Sequence, residues 1–176
     1  SYTISATATD KDGTYDAGNT VDVTVANVTP WVEIYGLPAT SPEGAAVNLN
    51  SVVHGSGTDS YTYSWVVNKE GILYATGSTA DFSFTPDDET VYSVTFTAAD
   101  DDGSAGMGSW NLTVTDVAPT LTLSGAATVD EGSSYTLNFS VGSDPGTDTL
   151  TGWTINWGDG TTETVAGSAA SATHIY

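Results

Sequence analysis

The sequence repeats itself with a period of about 90 residues, which is the size of one small all-β module. The matched pairs of segments are 2–13 with 92–103, 21–30 with 110–119, 31–50 with 120–138, 57–59 with 146–148, and 63–65 with 155–157. A repeat of this length limits the fold to a series of small units, each with its own core. The chain is therefore predicted to be a tandem array.

Apolar residues alternate with Ser and Thr along several short runs, of which residues 61–65, Tyr-Thr-Tyr-Ser-Trp, are the clearest. Successive side chains of a strand point to opposite faces, so such a run has one buried and one exposed face. In the complete repeat we predict seven strands, near residues 32–35, 46–53, 61–67, 72–75, 81–84, 91–98 and 109–116. This spacing is typical of an immunoglobulin-like sandwich. The predicted fold class is all-β, with tandem immunoglobulin-like β-sandwich modules joined by short linkers.

The phase of the repeat divides the chain into three predicted parts. Residues 1–29 are the C-terminal part of a module, residues 30–118 are a complete module, and residues 119–176 are the N-terminal part of a further one. Pro30 and Pro119 fix the backbone of the short linkers, which predicts stiff junctions. The two partial modules could pair between neighbouring chains, or each could be completed by chain outside this segment, and the sequence leaves both open.

Acidic residues dominate the charge of the chain. The 176 residues contain 22 Asp and Glu against 2 Lys and Arg, for a formal net charge of -20. A field of this sign repels nucleic acid and anionic membrane surfaces, so we expect neither as a partner. At 39% hydrophobic and 10% aromatic residues the chain is not a disordered acidic tail. It has no cysteine, no visible signal peptide and no apolar run of the ~20 residues that a membrane span needs.

One pair of motifs resembles a known family. Residues 157–161, Trp-Gly-Asp-Gly-Thr, are followed by His-Ile-Tyr at 174–176, and a strand of the type seen at 2–4 would come next. This order resembles the PKD (polycystic kidney disease) domain, although residues 65–71 and 84–86 of the complete repeat depart from it. The resemblance implies an immunoglobulin-like sandwich of bacterial and archaeal surface proteins. Such modules serve as spacers, adhesive stalks or accessory modules of secreted enzymes.

Two acidic loops are candidate metal sites. Asp10 and Asp12 precede a glycine in one repeat, and Asp100, Asp101 and Asp102 precede a glycine in the next. Carboxylates this close can converge on one hard cation, and calcium, which takes 6–8 oxygen ligands, is the predicted ion. The loop should lie at the amino-terminal end of its module, beside the Gly57-Thr58-Asp59 segment. The alternative is that Asp and Gly are ordinary turn residues with solvated side chains.

A second acidic group is predicted at the opposite end of the complete module. Glu43, Asp116 and residues 87–89 should face Asp144 and Asp148 of the next module. Two like charges at ~4 Å repel by roughly 1 to 4 kcal/mol, so several gathered acids need a counter-ion. The arrangement is similar to the intermodule calcium sites of cadherin-type repeats, although the linker pattern differs. For Glu43 and its counterpart Glu131, a role in a tight turn is the alternative to ligation, and Asp159 is interpreted as a turn residue.

Aromatic residues offer a second kind of binding surface, because their faces can stack on sugar rings. Trp65 and Trp157 match between repeats and fall on alternating strands, so we expect them in the core. Trp31 and Trp153 have no aromatic counterpart and are the better candidates for exposed ligand stacking. His174 is interpreted as a partly buried packing residue.

No catalytic pattern accompanies these features. The sequence has no Gly-x-Ser-x-Gly elbow, no phosphate-binding glycine loop and no zinc-ligand spacing, so we expect no enzymatic activity. The favoured hypothesis is a structural or adhesive segment of an extracellular, cell-surface repeat protein, such as a stalk, fibre or surface-layer element, with calcium-stiffened junctions. Its partners would be neighbouring modules of the same chain or copies of itself. The alternative is a carbohydrate-binding or spacer module appended to a secreted enzyme, with polysaccharide as its ligand.

Overall fold

The computed structural model describes residues 1–57 and 59–176. Throughout these residues the ordered elements are strands and none is a helix, which confirms the predicted all-β fold class. It follows that the described part of the chain offers no helix able to cross a membrane. The strands are β1 (Tyr2–Ile4), β2 (Thr7–Asp10), β3 (Gly13–Asp16), β4 (Val21–Val23), β5 (Trp31–Tyr35), β6 (Thr40–Pro42), β7 (Val47–His54), β8 (Tyr61–Lys69), β9 (Ile72–Gly77), β10 (Asp81–Phe84), β11 (Val91–Asp100), β12 (Ala105–Thr115), β13 (Leu121–Gly125), β14 (Ser134–Val141), β15 (Gly152–Asn156), β16 (Thr162–Ala166) and β17 (Ser171–Ile175).

Strands β5–β12 form a sandwich of two sheets, called here the central sandwich. One sheet has the order β10-β7-β5, and the other has the order β6-β12-β11-β8-β9. Neighbouring strands are antiparallel except for β6, which runs parallel to β12. The sequence pattern missed β6 because a strand of three residues is too short to show an alternation.

The core of the central sandwich follows the alternation along β11. Tyr92, Val94 and Phe96 are fully buried, with partly exposed residues between them. Trp65 of the neighbouring strand β8 is also fully buried, and its indole N–H donates a 2.9 Å hydrogen bond to the Thr79 carbonyl. Burial of a large apolar side chain stabilises a fold by about 1.5–3 kcal/mol, so this row of residues fixes the register of the sheet.

Strand β12 begins earlier than the predicted start at residue 109. Its first part contains Gly106 and Gly108, and glycines at this spacing favour a loop when the sequence is considered alone. A side chain at Gly106 would place its Cβ 2.5 Å from the carbonyl oxygen of Pro30. Glycine is therefore present because the linker before β5 passes directly over the strand.

Strands β13–β17 form a second sandwich, called here the C-terminal sandwich. Its sheets have the orders β13-β14-β17 and β15-β16, and its core contains Phe139, Trp153, Ile155, Trp157 and Ala172. Trp153 is only 8% exposed, so the prediction of an exposed Trp153 was wrong. The indole N–H of Trp153 donates to the Gly167 carbonyl, as that of Trp65 donates to Thr79, and each acceptor lies 14 residues beyond its tryptophan.

Trp153 is therefore the structural counterpart of Trp65, and the predicted match of Trp65 with Trp157 was also wrong. Trp157 is buried as expected, but it lies after the end of β15. There its ring stacks on His174 with a centroid separation of 4.8 Å. The error arose because both tryptophans of this segment have the same strand parity, so the alternation could not distinguish them.

Strands β1–β4 form a two-stranded ribbon, called here the N-terminal hairpin. β1 pairs with β4 and β2 pairs with β3. Tyr2 and Ile4 are 67% and 55% exposed, whereas their sequence counterparts Tyr92 and Val94 are fully buried in the central sandwich.

The predicted division of the chain into parts 1–29, 30–118 and 119–176, and the tandem repeat itself, stay predictions.

Candidate metal centre

Glu43 lies at the junction of the central and C-terminal sandwiches, in the turn that follows β6. Its backbone N–H donates to the Thr115 carbonyl at 3.0 Å, which holds the turn against the end of β12. The side chain is 2% exposed, and its Oε1 accepts a 2.8 Å hydrogen bond from the backbone N–H of Val117. Its Oε2 is buried and has no hydrogen-bond partner within the described residues. A buried carboxylate oxygen without a partner is unfavourable unless a cation or a proton compensates it.

Three further carboxylates converge on Glu43. Glu89 comes from the loop between β10 and β11, Asp116 from the linker after β12, and Asp148 from the loop between β14 and β15. One carboxylate oxygen of each of the four residues lies within 4.8 Å of the others. Glu43, Glu89, Asp116 and Asp148 are called here the Glu43 cluster. Glu43 is buried and the other three side chains are exposed, so the cluster opens to solvent on one side.

The loop of the C-terminal sandwich reaches Glu43 because two glycines permit close approach. A Cβ at Gly146 would lie 2.6 Å from Glu43 Oε2. A Cβ at Gly44 would lie 2.4 Å from the Cβ of Pro145, and the positive φ of Gly44, 72°, is one that favours glycine. The two sandwiches are therefore in direct contact at this end, with Pro145 and Gly146 against the turn that carries Glu43.

Electrostatic repulsion is unrelieved within the cluster. Loss of hydration raises the pKa of Asp148, and the charges of Asp116, Asp144 and Asp88 raise it further. The hydrogen bond from its own backbone N–H would lower the pKa of Glu89, but the hydrogen bond with Asp88, the charge of Asp148 and loss of hydration together raise it. Both shifts report a site where negative charge lacks a positive partner.

Lys69 supplies positive charge beside the cluster but not within it. Its Nζ lies 2.9 Å from Asp87 and 2.8 Å from Asp88. These bonds lower the pKa of both aspartates and raise that of Lys69. Of the predicted segment 87–89, only Glu89 therefore joins the cluster, because the lysine already pairs with the other two.

Asp144 lies near the cluster without belonging to it. Its charge contributes to the raised pKa of Asp148, and its side chain is partly buried. Its Oδ1 is buried and has no hydrogen-bond partner among the residues that the structure describes. Of the residues predicted for this end, the structure thus gathers Glu43, Asp116 and Asp148, and it leaves Asp144 at the margin.

A smaller acidic group lies at the other end of the central sandwich. Oxygens of Asp59, Asp101 and Asp102 lie within 4.8 Å of one another, and this group is called here the Asp59 cluster. Asp101 also accepts a 3.3 Å hydrogen bond from the Ser60 N–H. Asp59 is partly buried and the other two are exposed. The predicted segment Gly57-Thr58-Asp59 is described except for Thr58, which lies outside the described residues.

Asp100 does not belong to the Asp59 cluster and is 7% exposed. Its carboxylate accepts hydrogen bonds from the Asn27 side chain at 3.0 Å and from the Ser104 N–H at 2.7 Å. Loss of hydration alone would raise the pKa of Asp100, but these bonds and those from Gly103 and Asp102 lower it overall. Hydrogen bonding within the chain thus satisfies Asp100 without an ion.

Asp10 and Asp12 form a turn rather than part of either cluster. Asp10 Oδ1 accepts hydrogen bonds from the backbone N–H groups of Asp12 and Gly13, at 2.8 and 3.1 Å. The carboxylate of Asp12 lies 2.9 Å from Lys11 Nζ. These are the contacts expected of ordinary turn residues, which was the alternative to ligation for this loop.

The remaining candidates are separate from both clusters. Trp31 is 54% exposed and stacks on His54 with a centroid separation of 3.8 Å. Glu131, the sequence counterpart of Glu43, is exposed. Asp159 lies in a turn as predicted, where it accepts bonds from Thr161 and contacts His174. Its pKa falls to about 2, chiefly because of the Thr161 hydroxyl and N–H and then His174.

Sequence reasoning missed two residues: Glu89, which belongs to the Glu43 cluster, and Asn27, which binds Asp100. Glu89 was placed at the correct end of the module but was not included among the predicted ligands. The contact of Asn27 with Asp100 was not predicted, although Asn27 occupies the linker position that corresponds to Asp116 in the repeat. That correspondence is a signal that could have identified it.

Comparison with known proteins gives a structural likeness alone. No protein-family model and no curated protein sequence matches the chain. Among solved structures, the chain is similar to one described as "Structures of Clostridium thermocellum CbhA fibronectin(III)-like modules". The identity is 14%, the match covers 82% of this chain and 78% of the other, and the TM-score is 0.39. The resemblance to the PKD domain stays a prediction.

Proposed function

We propose that this chain is a structural segment of an extracellular repeat protein, acting as part of a stalk, fibre or surface-layer element. Its role would be mechanical: the junctions hold neighbouring sandwiches at a fixed angle, and calcium stiffens them. The neighbours would be other modules of the same protein or copies of it.

The observation that carries this proposal is the contact between the two sandwiches at Glu43. The 2% exposure of Glu43 and the fit of Pro145 and Gly146 against its turn make the junction a packed interface rather than a flexible tether. The linker is short, and Val117 within it is tied to Glu43 by a hydrogen bond. Pro119 restricts the linker further. Such a junction favours one orientation of the two sandwiches.

Small-angle X-ray scattering of the whole chain in calcium-containing buffer tests the structural role. The expected curve fits a single arrangement of the N-terminal hairpin and the two sandwiches. A curve that requires an ensemble of widely different orientations would contradict a stiff segment.

A carbohydrate-binding role is the second candidate, because Trp31 presents a prearranged aromatic face. Its ring is 54% exposed and lies nearly parallel to His54, with an interplanar angle of 10°. Exposed, fixed aromatic rings suit stacking on sugars. Retention on insoluble polysaccharides should be lost in Trp31→Ala and kept in Tyr15→Ala, which removes an equally exposed aromatic side chain. Failure of the unaltered chain to be retained would contradict this role.

A further inference from the structure

We propose that the Glu43 cluster binds one calcium ion, shared between the central and C-terminal sandwiches. This inference rests on the proposed structural function and deepens it by naming the ion's ligands. Glu43, Glu89 and Asp116 would be supplied by the central sandwich and its linker, and Asp148 by the next sandwich. The site is thus complete only when both sandwiches are in place.

Glu43 provides the observation that distinguishes this site from a group of solvated surface acids. Its Oε2 is buried and has no partner among the described residues, and one oxygen of the same carboxylate belongs to the closely grouped set. The other oxygen of the same carboxylate is held by the Val117 N–H. The side chain cannot turn toward water without breaking that bond, so the Glu43 carboxylate stays in the cluster.

The chemistry of the cluster matches a hard divalent cation. All four groups are carboxylates, which prefer calcium, magnesium or manganese over softer metals. Calcium takes 6–8 oxygens in flexible geometry, and some carboxylates bind it through both oxygens. The exposed side of the cluster leaves room for water to complete the shell. Magnesium requires near-ideal octahedral geometry and gives up its water reluctantly, so this partly open set of acids favours calcium.

The site also joins parts of the chain that are distant in sequence. Its ligands come from the turn after β6, the loop between β10 and β11, the linker after β12 and the loop between β14 and β15. An ion held by all four would stabilise the linker and the intersandwich contact together. In the Asp59 cluster, Asp59 Oδ2 is also buried without a partner among the described residues, but Asp59 as a whole is only partly buried and all three acids belong to the central sandwich.

Calorimetric titration of the whole chain with calcium chloride tests the proposal. The unaltered chain should bind one ion at this site, with a dissociation constant of about 10⁻³ M or lower, as extracellular calcium modules do. Glu43→Gln should weaken this binding by at least about 10-fold, since loss of a ligand costs at least as much as loss of its supporting partner. Asp148→Asn should have a similar effect, and because Asp148 is exposed this variant decides the matter if Glu43→Gln fails to fold.

Two control variants make the test specific. Glu131→Gln is the same chemical change at the exposed sequence counterpart of Glu43, and Asp101→Asn alters the Asp59 cluster. Both should bind as the unaltered chain does. The proposal is overturned if the chain binds no calcium at millimolar concentrations, or if all four variants weaken binding equally, which would indicate a diffuse acidic surface.

The calcium titration and the scattering experiment can give independent answers about the ion site and the structural role. A chain that scatters as one rigid body but binds no calcium would refute the ion site and leave the structural role intact. A chain that binds calcium through Glu43 and Asp148 but stays flexible would support the site and refute the role as a stiff segment.

Discussion

The side-chain amide of Asn27 donates a 3.0 Å hydrogen bond to the carboxylate of Asp100, which lies 73 positions later in the sequence. The same amide donates to the Ser104 hydroxyl at 2.9 Å. These bonds attach the segment after the N-terminal hairpin to the end of the central sandwich. Asn27 occupies the linker position that Asp116 holds at the other junction.

Replacement of Asn27 should loosen that attachment. In Asn27→Ala we expect faster amide exchange between residues 24 and 30 and unchanged exchange in β11. The pKa of Asp100, lowered in the intact chain, should rise, because one of the bonds that lowers it is lost. A lowered folded-state pKa stabilises the fold above the unfolded pKa, and this contribution is lost as pH falls through the folded value. Unchanged Asp100 titration, followed by NMR, would show that Asn27 does not support this junction.

The two tryptophans that the sequence grouped together should differ sharply in their effect on stability. Trp153→Ala removes a buried ring and should cost about 3–5 kcal/mol. Trp31→Ala removes a half-exposed ring and its stacking on His54, which should cost about 1 kcal/mol or less. Urea unfolding of the two variants measures both values. Equal costs would contradict the assignment of Trp153 to the core.

Gly146 and Gly57 provide a matched pair for the intersandwich contact. A Cβ at Gly146 would displace the Glu43 carboxylate, whereas a Cβ at Gly57 meets no atom within 4 Å. Gly146→Ala should therefore weaken calcium binding by about 10-fold or more, in the range found when the support of a metal ligand is removed. Gly57→Ala should leave binding unchanged. Identical calcium titrations for the two variants would show that close approach at Gly146 is not needed.

Asp159 should make the C-terminal sandwich sensitive to acid. Its folded pKa of about 2 lies below its ordinary value of 3.8. Its contribution to stability is therefore fully present above pH 4 and is lost as the pH falls toward 2. Thermal melting between pH 2 and 5 should show a shallower acid dependence in Asp159→Asn. Asp130→Asn, an exposed change in the same sandwich, serves as the control and should retain the slope of the unaltered chain.

The features that the sequence predicted well are local ones. The alternation along β8 and β11 and the Asp-Gly turns depend on neighbouring residues, so the strands and the all-β class could be inferred directly. The wrong match of Trp157 with Trp65 shows the limit of that reasoning. Trp153 and Trp157 are four residues apart, so an alternating pattern places both on the same face of a strand. Only their cross-strand partners distinguish them, and those partners depend on the fold.

The composition of the Glu43 cluster shows the same limit. Charge repulsion could predict that acids at facing module ends need a counter-ion. It could not predict which of residues 87–89 would lack an ion-pair partner and so join the cluster. The structure pairs Asp87 and Asp88 with Lys69 and leaves Glu89 for the cluster. Likewise, the burial of Glu43 depends on its bond to Val117, 74 positions away, which no local pattern contains.

The proposed stiffness of the chain depends on one junction being held in a single orientation by an ion at Glu43. The chain has no cysteine, so Thr76→Cys and Thr164→Cys, at exposed strand positions of the two sandwiches, give unique sites for spin labels. Pulsed electron paramagnetic resonance then measures the distance between the sandwiches. We predict one narrow distribution in calcium that broadens in chelator, and a broad distribution in both conditions for Glu43→Gln. A distribution that is broad in calcium, or equally narrow with and without it, would contradict a junction stiffened by calcium.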